Sequence, residues 1–274
     1  MAAVITLTTD YGTRDPYVAE MKAVILGLNP EVRLIDVTHD VRAHDVIEGG
    51  LAVEAVSALC PGGTVHVVVV DPGVGTRRRG LVVAASGQLF VGPDNGLFTP
   101  VLSSPGWQAF ELRASRYRRA QVSPTFHGRD IFAPAAAHLT LGVSARSFGP
   151  PVTDPVRGAW PSTRPVTGGV EGEVIHVDRF GNLVTSIDAD TVDRVVRAGG
   201  RVVVSIGRHR LSLVHTYGEL TERGPGALVG SRSRLEIAVR EASAATRLGA
   251  GRGAKVRLSC STMTKRTTSR RGRS

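Results

Sequence analysis

The hydrophobic positions change period several times along the chain, and each change marks an element. Residues 4–8 form a short, largely β-branched run that predicts a strand. From Asp15 the spacing lengthens, and Val18, Met21, Ile25 and Leu28 recur at helical intervals. Residues 32–37 predict a second strand and residues 46–59 a second helix, with Asp45 placed to cap it. Residues 65–70 are apolar apart from His66, the pattern of a central parallel strand covered on both faces. Residues 81–85 and 88–91 predict further strands, and residues 131–141 a helix. This alternation predicts an α/β fold over residues 1–150, a Rossmann-like domain with a mostly parallel sheet.

The pattern then breaks. Pro150, Pro151, Pro155, Pro161 and Pro165 crowd one stretch, and residues 151–169 read as a linker. Short β-type runs follow at 174–177, 183–187, 201–206, 211–214 and 235–239, with one helix-like stretch at 188–198. They predict a small C-terminal β-barrel over residues 170–260. Residues 261–274 form a Ser/Thr/Arg-rich tail that cannot build a core.

Composition changes this picture in three places. The net charge is +10, but Lys265, Arg266, Arg270, Arg271 and Arg273 lie in the tail, and the rest of the chain carries +5. The basic signal is therefore partly a solvated end. It lacks interleaved aromatics for stacking, so nucleic acid is not the expected partner. Cys60 and Cys260 stand alone, which argues against a disulfide framework. No apolar run is long enough to cross a membrane and none opens the chain, so a cytoplasmic protein is expected.

Four segments carry candidate chemistry. Thr8-Thr9-Asp10-Tyr11-Gly12 follows the first strand, where a carboxylate can accept hydrogen bonds from both ribose hydroxyls or merely tie down a turn. Asp71-Pro72-Gly73-Val74-Gly75 follows the central strand and leads to Arg77, Arg78 and Arg79. It lacks the third glycine of a dinucleotide fingerprint and the Lys-Ser/Thr of a P-loop. Phe126-His127-Gly128-Arg129-Asp130 precedes a helix and offers a neutral imidazole, or a simple capping loop. Asp178-Arg179-Phe180-Gly181-Asn182 supplies an aromatic face and an amide edge suited to a purine, or a β-turn. His39-Asp40 and His44-Asp45 match no metal-ligand spacing, so no metal is expected.

Together and in this order, with Leu235-Glu236-Ile237-Ala238, these segments resemble the S-adenosylmethionine hydroxide adenosyltransferase family, relatives of the fluorinases and chlorinases. The resemblance runs over about residues 4–258. It implies a hydrolase that splits S-adenosyl-L-methionine (SAM) into adenosine and L-methionine, with no cofactor. It also implies a homotrimer with sites at the subunit interfaces. A water-handling trio falls on Asp71, Arg78 and His127, with Arg77 and Arg79 as the alternatives for the arginine. The ribose carboxylate falls on Asp10, the methionine-binding acids on Asp15 and Asp178, and the purine contacts on Phe180 and Asn182. After Ala238 the family usually continues toward Asn-Gly-Gly, where this chain has Val239-Arg240-Glu241-Ala242. The competing readings are a halide nucleophile in place of water and a non-catalytic nucleoside-binding protein.

Overall fold

The computed structural model describes residues 3–222 and 224–261, so the basic tail beyond Ser261 lies outside the described residues. The chain divides into two compact units between Trp160 and Pro161. No helix among the described residues is long and apolar enough to cross a membrane.

The first unit holds β1 (Val4–Thr9), α1 (Tyr17–Leu28), β2 (Arg33–Thr38), α2 (Val46–Ser57), β3 (Val65–Val69), β4 (Gly80–Ala85), β5 (Gln88–Pro93), β6 (Gln108–Glu111) and α3 (Ala133–Thr140). Its sheet runs β2-β1-β3-β5-β4-β6. The first four strands in that order are parallel, and β4 is antiparallel to both neighbours. The apolar run around β3 explains the layering. Val65, Val67 and Val69 pack with Met21 and Ile25 of α1 and with Ala133, Ala136 and Ala137 of α3. Val68 and Val70 point the other way, to Val53 of α2 and to Leu97 and Phe98. Helices thus cover both faces of the sheet.

Two local results differ from the sequence pattern. The strands at 81–85 and 88–91 form a tight hairpin, closed by Ser86 and Gly87 at φ 51° and 73°. The helix expected at 131–141 begins instead with one π turn, Gly128–Phe132, before α3. Such wide turns recur at functional sites. The proline-rich stretch leaving this unit is tied down, with Val152 N donating to Ala109 O at 2.8 Å and Phe148 buried.

The second unit contains β7 (Arg164–Val166), β8 (Gly169–Val177), β9 (Leu183–Asp188), α4 (Ala189–Arg197), β10 (Arg201–Ile206), β11 (His209–Leu211), β12 (Pro225–Val229), β13 (Arg234–Val239), α5 (Ala244–Leu248) and β14 (Lys255–Ser261). Its strands run β11-β10-β14-β8-β9-β13-β12. Leu213, just past β11, bridges Ala227 of β12, which nearly closes the sheet into a barrel. The fold is therefore α/β followed by a small antiparallel barrel. The inside is aliphatic, with Leu183, Ile187, Leu235, Ile237 and Leu258 in one cluster. Asp188 caps α4 by accepting from Thr191 N at 2.7 Å.

Candidate active site

Asp10 and Asp71 leave the carboxyl ends of adjacent parallel strands, since Thr9 of β1 lies opposite Val69 of β3. β2 flanks β1 on its other side, so the connections diverge there and open a crevice. The Asp10 carboxylate accepts from His44 N at 2.9 Å, which fixes one oxygen and leaves the other for a ligand. Asp15 stands exposed in the loop before α1.

Asp71, Arg78 and His127 meet in this unit. Arg78 Nε donates to both Asp71 oxygens, at 2.9 and 3.1 Å, and its Nη2 also donates to Oδ2. The two side chains are only 5% and 10% exposed, so the pair is charge-assisted and largely shielded from water. The same Nη2 lies 2.7 Å from His127 Nδ1. A guanidinium only donates, so Nδ1 accepts and the imidazole proton sits on Nε2. Burial, then the Arg78 charge, hold the His127 pKa below the usual histidine value, against the opposing pull of Asp71. The Arg78 guanidinium also rests 5.3 Å from the centre of the Phe132 ring.

The flanking arginines do other things. Arg79 Nε donates to Asp94 at 2.7 Å, and its Nη1 to Asp154 at 2.8 Å. Arg77 is exposed. Of the three, Arg78 is the one in contact with Asp71 and His127.

His127 is held from its own loop. The fully buried Asp130 carboxylate accepts from Arg129 Nε at 2.8 Å, Arg119 Nη1 at 2.9 Å and Ser123 N at 2.8 Å. Arg129 reaches on to Glu20 of α1 at 2.7 Å. Next to His127, Gly128 leaves room for the Tyr11 hydroxyl, which a Cβ there would approach to 2.6 Å. Tyr11 packs against Tyr17 and Phe126, at 5.8 and 5.7 Å between ring centres. Burial, then the charges of Asp10 and Asp71, push its hydroxyl pKa well above the ordinary tyrosine value. Tyr11 thus stays a neutral phenol beside the trio. In the sequence Tyr11 shows only as part of a motif, because nothing in the spacing shows that residue 11 meets residue 128.

In the second unit Asp178 is a turn anchor. Its Oδ1 accepts from Phe180 N at 2.9 Å and Asn182 N at 2.8 Å, and its Oδ2 from Asn182 Nδ2 at 3.0 Å. Phe180 is left 77% exposed and Asn182 is buried. Tyr217 donates to the buried Glu236 at 2.7 Å. Burial, Glu236 and the Asp178 charge push its hydroxyl up to about 12. Tyr217 and Glu236 therefore lie within electrostatic reach of Asp178. After β13 the chain turns through Glu241 at φ 54°, with Val239 bridging Ala242.

An α/β unit with an Asp–Arg–His cluster at the β1/β3 crevice, followed by a small barrel, defines a two-domain class. The chain belongs to the SAM hydroxide adenosyltransferase family: the N-terminal domain model matches residues 5–149 and the C-terminal domain model residues 172–257. It is similar to an (R)-S-adenosyl-L-methionine hydrolase of Thermus thermophilus, 42% identical over 91% of this chain and 97% of the relative. A fluorinase of an Actinoplanes species is more distant, 29% identical over 86% of this chain and 90% of its own. A solved structure of an uncharacterized conserved protein from Thermotoga maritima superposes with a TM-score of 0.88, at 33% identity. That alignment covers 93% of this chain and 99% of the other.

Proposed function

We propose that this protein hydrolyses SAM to adenosine and L-methionine by attack of water at C5′. The observation that carries the reading is the contact of Asp71, Arg78 and His127 at the carboxyl edge of the parallel sheet. The sulfonium already makes methionine a neutral leaving group that needs no proton. The protein must therefore place water in line with the C5′–S bond. Such placement contributes roughly 7–11 kcal/mol in favourable cases.

The contacts divide the labour. Arg78 occupies His127 Nδ1, so His127 offers the water an N–H from Nε2 and serves to orient it. Asp71 keeps carboxylate lone pairs beyond those used by Arg78, and it accepts the proton of the attacking water. Arg78 holds both in place. Asp10 binds the ribose, Phe180 stacks on the adenine and Asn182 meets its edge. Asp15 and Asp178 receive the methionine ammonium, Asp178 through oxygen lone pairs not spent on its own turn.

A halide nucleophile is the alternative chemistry. The shielded Asp71 carboxylate disfavours it, because a second anion there would be repelled. The test is turnover of SAM in ¹⁸O-labelled water, with and without chloride, read by chromatography and mass detection. Adenosine labelled at its 5′ oxygen is the expected product. A halogenated nucleoside would move the protein to the halogenase chemistry, and binding without any product would make it a nucleoside-binding protein. The homotrimer belongs to the same proposal. Light scattering on the purified protein should give three times the 29.0 kDa chain mass, and a monomer would remove it.

A further inference from the structure

We infer that His39 is a positioning residue for the substrate-binding turn, acting through Thr9; its place in catalysis rests on the reading of Asp10 above. His39 and Thr9 are buried, at 6% and 0% exposure, so the bond between them is shielded from water. Their hydrogen bonds form a directed chain. Lys22 Nζ donates to Asp36 Oδ2 at 2.6 Å. His39 Nε2 lies 3.0 Å from Asp36 Oδ1, and since a carboxylate only accepts, Nε2 carries a proton. On the neutral ring Nδ1 is then an acceptor. Thr9 Oγ1 is 2.8 Å away and donates to it. With its proton so committed, the Thr9 oxygen accepts from Tyr11 N at 3.3 Å. With one ring proton, on Nε2, every donor along the path meets an acceptor.

The chain ends on the segment that does the binding. Tyr11 follows Asp10, and its ring fills the space beside His127. The backbone adds to the hold: His39 O accepts from Gly12 N at 2.7 Å, and His44 N donates to Asp10 at 2.9 Å. Residues 39–44 thus hold residues 9–12 from ring, carbonyl and amide at once. The ring link sets which way the peptide at Tyr11 faces, and with it the direction of the Asp10 side chain.

The two ring nitrogens can be tested separately. An asparagine side chain reaches the place of Nδ1, and a glutamine the place of Nε2. The comparison uses His39→Asn, His39→Gln, Thr9→Val and Thr9→Ser in the full chain. Three quantities are read: amide exchange in peptides covering residues 10–13 without ligand, the Kd for adenosine, and KM against kcat for SAM. His39→Gln and Thr9→Val should speed exchange and raise Kd and KM by about tenfold, with kcat changed less than about twofold. His39→Asn and Thr9→Ser, which keep the link, should stay within about threefold of the wild type. If Thr9→Val does not fold, the two His39 variants decide alone. Equal behaviour of His39→Asn and His39→Gln, or unchanged exchange in both, overturns the inference. If the wild type neither binds adenosine nor turns over SAM, the functional reading fails, while the exchange data still decide whether His39 holds the turn.

Discussion

At the scale of single residues, consecutive arginines have been given opposite work. Arg78 serves the Asp71–His127 cluster, and Arg79 neutralises the buried Asp94. Their substitutions should therefore fail differently. Arg78→Ala should lower kcat on the order of 100-fold in the protein that remains folded, with some loss of stability because Asp71 loses its partner. Arg79→Ala should cost about 2 kcal/mol of stability, by leaving Asp94 short of its partner, with turnover per folded molecule little changed. Urea titration and steady-state kinetics on both variants check this, and a matching loss of turnover in both would show that the division is false. The motif points to Arg78 but leaves Arg77 and Arg79 open, because three adjacent arginines look alike until the strand that follows them fixes their directions. The places of Asp10, Asp71 and His127 were legible because each ends or begins an element in a recognisable motif. The turn at Gly181 and Asn182 was legible as one of two readings, but not that Asp178 anchors it, since a turn and a binding site need the same residues there.

At the scale of elements, the period of the hydrophobic pattern recovered the parallel strands and the helices that cover them. It did not show that β4 runs antiparallel, because periodicity carries no direction. The information lies in the two residues between β4 and β5. Ser86 and Gly87 both have positive φ, the backbone of a type I′ hairpin turn. Serine is not the residue best suited to that place, and Ser86→Asn should stabilise the protein by about 0.5 kcal/mol. The midpoint of urea unfolding should rise without a change in slope, and a lower midpoint would count against the turn assignment. The π turn at Gly128–Phe132 was likewise out of reach, since it depends on the grip of Arg119, Arg129 and Ser123 on Asp130 and not on local propensity.

At the scale of the whole molecule, the first unit carries a titratable group in its core. His66 of β3 is fully buried, stacked on Phe90, and bonded to Thr6 at 2.7 Å and Gln88 at 3.1 Å. Burial lowers its pKa to about 4, against the partial support of Gln88. The unfolded chain takes up this proton near pH 6.5 and the folded protein only near 4. The stability due to keeping His66 neutral is therefore complete above pH 6.5 and is lost as pH falls toward 4, by about 3 kcal/mol in all. Urea unfolding from pH 7.5 down to 5 should show this decline, and His66→Asn, though weaker at neutral pH, should lack it. Parallel curves for the two proteins would refute the assignment. A histidine within an apolar run gives no sign in the sequence of whether it is buried neutral or exposed, which is why its role emerges only with the packing.

The Asp71–Arg78 contact also bears on how the enzyme can diverge. Asp71 is set by the end of β3, and Arg78 by the start of β4, where Arg79 O accepts from Asp94 N at 2.9 Å. Each partner is thus anchored from its own strand, and Thr76 and Arg77 between them are exposed. A lineage can vary the exposed Arg77 side chain while the reactive pair stays where it is, whereas Thr76 is tied in: its hydroxyl donates to Gly73 O at 2.7 Å and accepts from Arg78 N at 3.3 Å. A slip of one residue inside β4 is another matter, because alternate side chains point to opposite faces and Arg78 would trade places with Arg79. Drift should therefore collect at position 77 and spare both the turn and the strand, leaving a place where new recognition can be added without rebuilding the chemistry.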